Sequence, residues 1–358
     1  MRRAPTAVPT ADLAPSRTVT ETTLRVAAAP SGHPLAGALA ADPRLAAPLA
    51  GPALPSAARL RADALPPMLD DVDVVHLHGG VERCDPAQLE ALLAALHARD
   101  VAVVASLGEL RARDEVDRGV HDARLEVLLR GADACTTITR SAATEVRERF
   151  GVEAIVVPYL GVVPDARIAA CMPRGLAHPV VGLGVTRLDA RTALVPAVEA
   201  LGDLLESDPH VRVQVHVHEQ LGDAADDVLA PLVRHERVAA RFGGWMPDDR
   251  LYDWVEQLDV LLLPHRWSTH SAWVGLARDL GTATVGVAAP SMRELGLSCG
   301  YVVEGDDPTP RAMGEALCVA LALAAVERPA PRCRREQLEA VRDAHTTLYG
   351  LVAGRRPA

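Results

Sequence analysis

Aromatic side chains are scarce: two Phe, four Trp and four Tyr make up 3% of 358 residues. Proteins that grip single-stranded nucleic acid need aromatic platforms on which bases stack, so this scarcity argues against that class. Positive charge is also short, with 37 Lys and Arg against 47 Asp and Glu and a formal net charge of -10. That balance excludes a dominant phosphate-backbone footprint, and no nucleic-acid partner is expected. A small anionic ligand stays open, because it needs only local cations. Cysteine is sparse and dispersed, at Cys84, Cys135, Cys171, Cys299, Cys318 and Cys333. A disulfide framework or structural zinc site clusters its ligands more tightly, so these thiols read as reduced packing residues and no metal is expected. Long hydrophobic runs are missing as well. The N-terminus lacks the continuous apolar core of a signal peptide, and no uninterrupted apolar span is long enough to cross a bilayer. The tract from Cys318 to Val326 is flanked by Glu315 and Glu327 and reads as a soluble helix. The expected location is cytoplasmic, with no integral membrane segment.

What is present is aliphatic. Apolar residues form 49% of the chain, enough for two sizeable cores, and the length exceeds that of one ordinary α/β domain. Residues 1–22, rich in Ala, Pro, Thr and Arg, carry no periodicity and read as a disordered extension. Leu24 to Ala29 predicts a first strand, Asp73-Val-Val-His-Leu-His-Gly-Gly80 a buried strand with a glycine loop, Pro86 to Arg99 a helix, and Val101 to Ser106 a strand. This is the βαβ grammar of a parallel sheet. A helix follows over His121 to Leu129, a strand over Ala134 to Thr139, and Ser141 is placed to cap a helix to Phe150. The series restarts after a linker with strands at Val180–Val185, Val211–His218, Val238–Phe242, Asp259–Leu263 and Thr282–Val287. The expected organisation is an N-terminal Rossmann-like domain over 23–166, a linker over 167–179, a second Rossmann-like domain over 180–328, and a C-terminal helix and tail over 329–358 that return toward the first domain.

Three segments in this order carry a resemblance: Asp73-Val-Val-His-Leu-His-Gly; Phe242-Gly-Gly-Trp-Met-Pro-Asp with its following helix; and Asp259-Val-Leu-Leu-Leu-Pro-His leading to Leu280-Gly-Thr-Ala-Thr-Val. Over roughly residues 70 to 325 the chain resembles the retaining GT-B glycosyltransferases, the group that includes glycogen and sucrose synthases. The resemblance implies an α/β GT-B fold of two Rossmann-like domains facing across a cleft. It places a nucleoside diphosphate sugar donor against the second domain and an alcohol or glycan acceptor against the first, with no cofactor and no metal.

By the same resemblance, Arg187 and Arg191 match the cation pair that holds the donor diphosphate, although a solvated loop charge is the plainer reading of either. His265, Arg266, Ser268, Thr269, His270 and Ser271 crowd the strand-to-helix junction where an open sheet binds ligands, and Glu294 follows the next strand. These nine residues are the donor-side candidates. On the acceptor side stand Gly32 and His33 after the first strand, His78, Gly79 and Gly80 after the next, and Ser106. His76 and His78 share one strand face, but the sequence places no third ligand beside them. His216 and His218 form a second alternating pair.

Two departures stand out. Family members carry two glutamates eight positions apart, whose places here hold Ser268 and Leu276, and a first-domain histidine whose place holds Ser106. The expected reaction is hexosyl transfer to an alcohol with retention. The rival is a noncatalytic GT-B-like subunit that binds a partner transferase or its substrate. A nicotinamide oxidoreductase does not fit, because Gly182-Leu-Gly-Val-Thr does not complete a GxGxxG fingerprint.

Overall fold

The computed structural model describes residues 23–40, 42–46, 54–112, 118–171, 178–244, 246–326 and 334–354. The extension expected over 1–22 lies outside the described residues. Two six-stranded parallel sheets organise the chain.

The first half runs β1 (Leu24–Ala29), α1 (Pro34–Ala40), β2 (Leu45–Ala46), β3 (Val74–Leu77), α2 (Pro86–His97), β4 (Ala102–Ser106), α3 (Arg118–Gly131), β5 (Ala134–Thr137), α4 (Arg140–Phe150), β6 (Ile155–Val156) and α5 (Asp165–Ala169). Its sheet order is β2-β1-β3-β4-β5-β6. All four residues of β3 are buried, as expected where helices cover both faces of a parallel sheet. The start of α2 is written locally: Asp85 accepts from the Ala87 amide, Gln88 reaches back to the Asp85 amide, and Pro86 sits in the first turn. Its leucines 89, 92, 93 and 96 face the core.

The second half runs β7 (Val180–Val185), α6 (Leu194–Ser207), β8 (Arg212–His218), α7 (Gly222–Val233), β9 (Val238–Gly243), α8 (Asp248–Glu256), β10 (Val260–Leu262), α9 (Ala272–Asp279), β11 (Ala283–Val287), α10 (Pro290–Leu295) and β12 (Cys299–Tyr301). A small hairpin of β13 (Val303–Glu304) and β14 (Asp307–Pro308) precedes α11 (Pro310–Val326) and α12 (Arg334–Gly354). The sheet order is β12-β11-β10-β7-β8-β9. In α12, Val341, Leu348, Tyr349 and Val352 pack with Val74, Ala102 and Val104, so the last helix covers the first sheet.

Two local expectations need correction. Thr139, not Ser141, is the N-cap of α4, its hydroxyl accepting from the Ala142 amide. The stretch expected as linker begins inside a helix, since α5 runs to Ala169. No helix among the described residues is long and apolar enough to cross a membrane.

Candidate functional site

In each sheet the strand order reverses direction once, between β1 and β3 in the first and between β7 and β10 in the second. The loops leaving the carboxyl ends of such neighbouring strands diverge and leave a crevice, the usual ligand position of an open α/β sheet. Both crevices here are occupied by the polar loops picked out by sequence.

At the second switch point, the loop after β7 is bound to the loop after β10. The Ala193 amide donates to Pro264 O and the Arg266 amide to Arg191 O, both at 2.8 Å. A cavity of about 210 Å³ opens between them, lined by Arg187, Arg191, His265, His270, Ser271 and Trp273 among others. Arg187 is exposed at its rim, and Arg191 is half-buried. Arg266 does not line this cavity. Its guanidinium donates to Asp307 at 2.6 Å and to the carbonyls of Ala190 and Thr192 at 2.6 and 2.7 Å, which fixes the loops rather than leaving a free cation. Ser268 donates to His270 O at 3.1 Å.

Thr269, His270 and Glu294 reach across to the first domain. Thr269 donates to Glu109 through both its amide and its hydroxyl, and its hydroxyl accepts from the Leu110 amide at 3.0 Å. His270 Nδ1 donates to Gly108 O at 3.0 Å, which leaves Nε2 to accept from the hydroxyls of Thr137 and Thr139 at 3.2 and 3.4 Å. Burial holds this imidazole down to a pKa of about 4, so it is neutral at pH 7. Glu294 accepts from the Arg140 and Ser141 amides at 2.8 Å and from the Ser141 hydroxyl. Desolvation pulls its pKa upward, but the bonds from Ser141 and the two amides carry it below the usual value. Its carboxylate therefore caps α4 from the other domain.

In the first domain, between the loops after β3 and β4 and against α3, lies a cavity of about 300 Å³, lined by His78, Gly79, Ser106, Glu109, His121 and Arg124 among others. Gly80 has φ +85°, and a Cβ there would stand 2.7 Å from Ser56 Cβ, so no other residue fits without strain. His33 stacks on His78 with ring centroids 4.3 Å apart, and His78 lies 3.8 Å from His76. His76 is fully buried and bonded at both nitrogens, to Tyr349 Oη at 2.7 Å and to Ser106 Oγ at 2.9 Å. Burial, followed by repulsion from His78, His345 and His33, holds His76 well below the ordinary histidine range. Burial likewise depresses His33, His78 and His345. Among the described residues, no group of three or more His, Cys, Asp or Glu is arranged to hold a metal. Gly32 is exposed with open space around it.

The structure thus brings Arg187, Arg191, His265, His270 and Ser271 to one cavity, and His78, Gly79 and Ser106 to another. Sequence reasoning missed Glu109. It follows Ser106 by three positions at the end of β4, and its carboxylate lies between Thr269 and Arg191, whose Nη1 is 3.4 Å away. Tyr349 and His345 were also missed, since nothing local connects α12 to β3.

No family model matches the sequence, and no curated relative does. Similar solved structures exist. Sucrose-phosphate synthase from Thermosynechococcus elongatus superimposes with a TM-score of 0.58 at 17% identity, over 80% of this chain and 74% of the other. The α,α-trehalose 6-phosphate synthase from Burkholderia multivorans gives 0.56 at 18%, over 78% and 72%. The S. aureus MnaA structure with UDP gives 0.51 at 13%, over 81% and 78%. With its two parallel sheets, paired switch points and returning C-terminal helix, the chain has the GT-B fold.

Proposed function

We propose that the chain is a nucleotide-sugar-dependent glycosyltransferase that moves a hexosyl unit from a nucleoside diphosphate sugar to an alcohol acceptor with retained configuration. One observation carries the reading. Each half of one GT-B fold holds a cavity at the carboxyl ends of its strands, and that of the second domain, at its switch point, is polar and lined by Arg187 and Arg191 with no carboxylate among its lining residues. Two arginines in one crevice, Arg187 exposed at the rim and Arg191 paired with Glu109 at 3.4 Å, suit a diphosphate. The His78–Ser106 cavity offers hydroxyl and imidazole groups to an alcohol.

In this reading the donor diphosphate lies against Arg187 and Arg191. The acceptor oxygen bonds to the anomeric carbon on the face from which the diphosphate departs. The bond to the diphosphate oxygen breaks, its charge is offset by the arginines, and the acceptor proton passes to the departing diphosphate. No side-chain nucleophile takes part, the arginines stand in for a metal, and the reaction belongs in the cytoplasm. UDP in the S. aureus structure makes uridine diphosphate sugars the first donors to try.

A second reading, a noncatalytic sugar-nucleotide-binding subunit that serves a partner transferase, draws on Ser268 and Leu276, which stand where the family carries carboxylates. Titration with UDP-glucose, paired with assays of transfer and donor hydrolysis, separates the two. Wild type binds and turns over, and Arg187→Ala weakens binding by at least about tenfold, the worth of one charge-assisted contact. Arg187-dependent binding with neither transfer nor hydrolysis favours the subunit, and absence of donor binding sinks the transferase.

A further inference from the structure

A third cavity, of about 390 Å³, lies away from both switch points, on the edge of the second sheet. Along β8 the side chains alternate. Val213, Val215 and Val217 enter the core with α6 and α7, which sends Gln214 and His216 to the opposite face. There, in register, Gln214 lies beside Ala239 and His216 beside Arg241 of β9. The helix α8 covers only part of this face and contributes Arg250, Asp253 and Trp254 to the cavity wall.

Three features make this a built cavity rather than a gap at a sheet edge. His216 is only 3% exposed, yet its Nδ1 is buried without a hydrogen-bond partner among the described residues. Such groups are rare in native interiors, because each costs the desolvation of a polar atom. Arg241 and Arg250 line the same space and form no ion pair among the described residues. The carboxylate on the wall, Asp253, is held by Arg167 at 2.9 Å, so it does not neutralise them. The result is a local excess of positive charge and donors in a chain of net charge -10.

We propose that this cavity is a second ligand site, for a small organic phosphate whose phosphoryl group lies between Arg241 and Arg250 and whose polar body meets His216 and Gln214. Arginine suits phosphate oxygens through its planar fork of donors. The volume exceeds what a bare phosphate ion fills, which favours a phosphate ester. Trp254 forms the wall toward the Arg187 cavity, its ring 6.1 Å from His216 and edge-on to Trp273 at 6.2 Å, and Trp273 lines that other cavity. Occupancy is therefore reported by tryptophan fluorescence. The site does not depend on the transferase reading.

The test uses the full chain, with glucose 6-phosphate and inorganic phosphate as probes, by calorimetry and by the fluorescence change. Glucose 6-phosphate binds more tightly than inorganic phosphate. Arg241→Ala and Arg250→Ala each weaken it roughly tenfold without moving the thermal midpoint, since both side chains are exposed. Arg187→Ala and Ser106→Ala, which alter the other two cavities, leave it unchanged. The proposal is overturned by absence of binding of both probes, by equal or tighter binding of inorganic phosphate, by binding that survives both Arg241→Ala and Arg250→Ala, or by loss of binding in Arg187→Ala or Ser106→Ala.

Discussion

Glu109 and Thr269, 160 residues apart, meet across the two domains: Glu109 Oε1 accepts from the Thr269 amide at 2.7 Å and from its hydroxyl at 2.5 Å. The Glu109 side chain is 8% exposed. A buried carboxylate is tolerable only when its oxygens are satisfied, and here one oxygen holds Thr269 while the other faces Arg191. The contact thus sets the loop after β10 relative to the end of β4. It also ties the Arg187–Arg191 cavity to the His78–Ser106 cavity.

Replacing Glu109 by Ala leaves the Thr269 amide buried and unpaired. Such a group costs about 1–3 kcal/mol, and urea unfolding should show a loss of that size. Glu109→Gln keeps an acceptor oxygen and recovers part of it. A variant Glu109→Ala as stable as wild type would mean that water replaces the carboxylate and that the contact does not position the loops.

The histidine cluster gives the protein an acid-sensitive element. His76 and His345 have no exposure, and burial holds both below the ordinary value of 6.5. A group with a depressed folded pKa binds fewer protons in the native state than in the unfolded chain. Its stabilisation is complete above about pH 6.5 and is lost as the pH falls below it, by roughly 1.4 kcal/mol per group per pH unit. Urea midpoints measured from pH 7.5 to 5 should fall accordingly, and His76→Gln should flatten the slope. An unchanged slope in that variant would locate the acid sensitivity elsewhere.

The divergence at the second family carboxylate is built into packing. Leu276 is 4% exposed and packs with Val274, Ala277 and Leu280. Its neighbour Gly275 faces Tyr159 so closely that a Cβ would lie 1.9 Å from the hydroxyl. Leu276→Glu therefore puts a carboxyl into an apolar site with no arranged partner, and burial of that kind costs several kcal/mol or forces protonation. We expect a drop of at least about 3 kcal/mol in unfolding free energy, within the range of buried polar substitutions. Near-native stability of the variant would show that the helix can turn this position toward solvent.

Much of this fold is legible in local pattern. Val180–Val185 and Val260–Leu262 are recognisable because central parallel strands bury both faces and so read as aliphatic runs, and Arg212–His218 because its valines alternate with polar residues. The N-terminus of α2 is legible because Asp85, Pro86 and Gln88 satisfy its amides within four residues. The N-terminus of α4 is not, although Ser141 is a good capping residue by type. Glu294, 153 positions away, takes the Ser141 amide and hydroxyl, and Thr139 supplies the local cap. The site divides the same way. Switch-point loops reveal themselves as polar clusters after apolar strands, whereas Glu109, Tyr349 and the bonds that hold Arg266 depend on partners that only the tertiary fold brings near.

Glu294 provides the clearest test of that last point, since its carboxylate acts on a helix in the other domain. Removing it in Glu294→Ala leaves the first amides of α4 to water and takes a negative charge from a helix N-terminus. Loss of a cap typically costs about 0.5–2 kcal/mol. The carboxyl pKa is lowered from 4.5 in the folded chain, so its contribution is present above that value and lost as the pH falls through the folded pKa. The gap in urea midpoint between wild type and Glu294→Ala should thus be full at pH 7 and close in acid. Glu294→Gln, which keeps an acceptor but no charge, should fall between them and show no such pH dependence. A gap that stays constant down to pH 3.5 would remove the carboxylate from the cap.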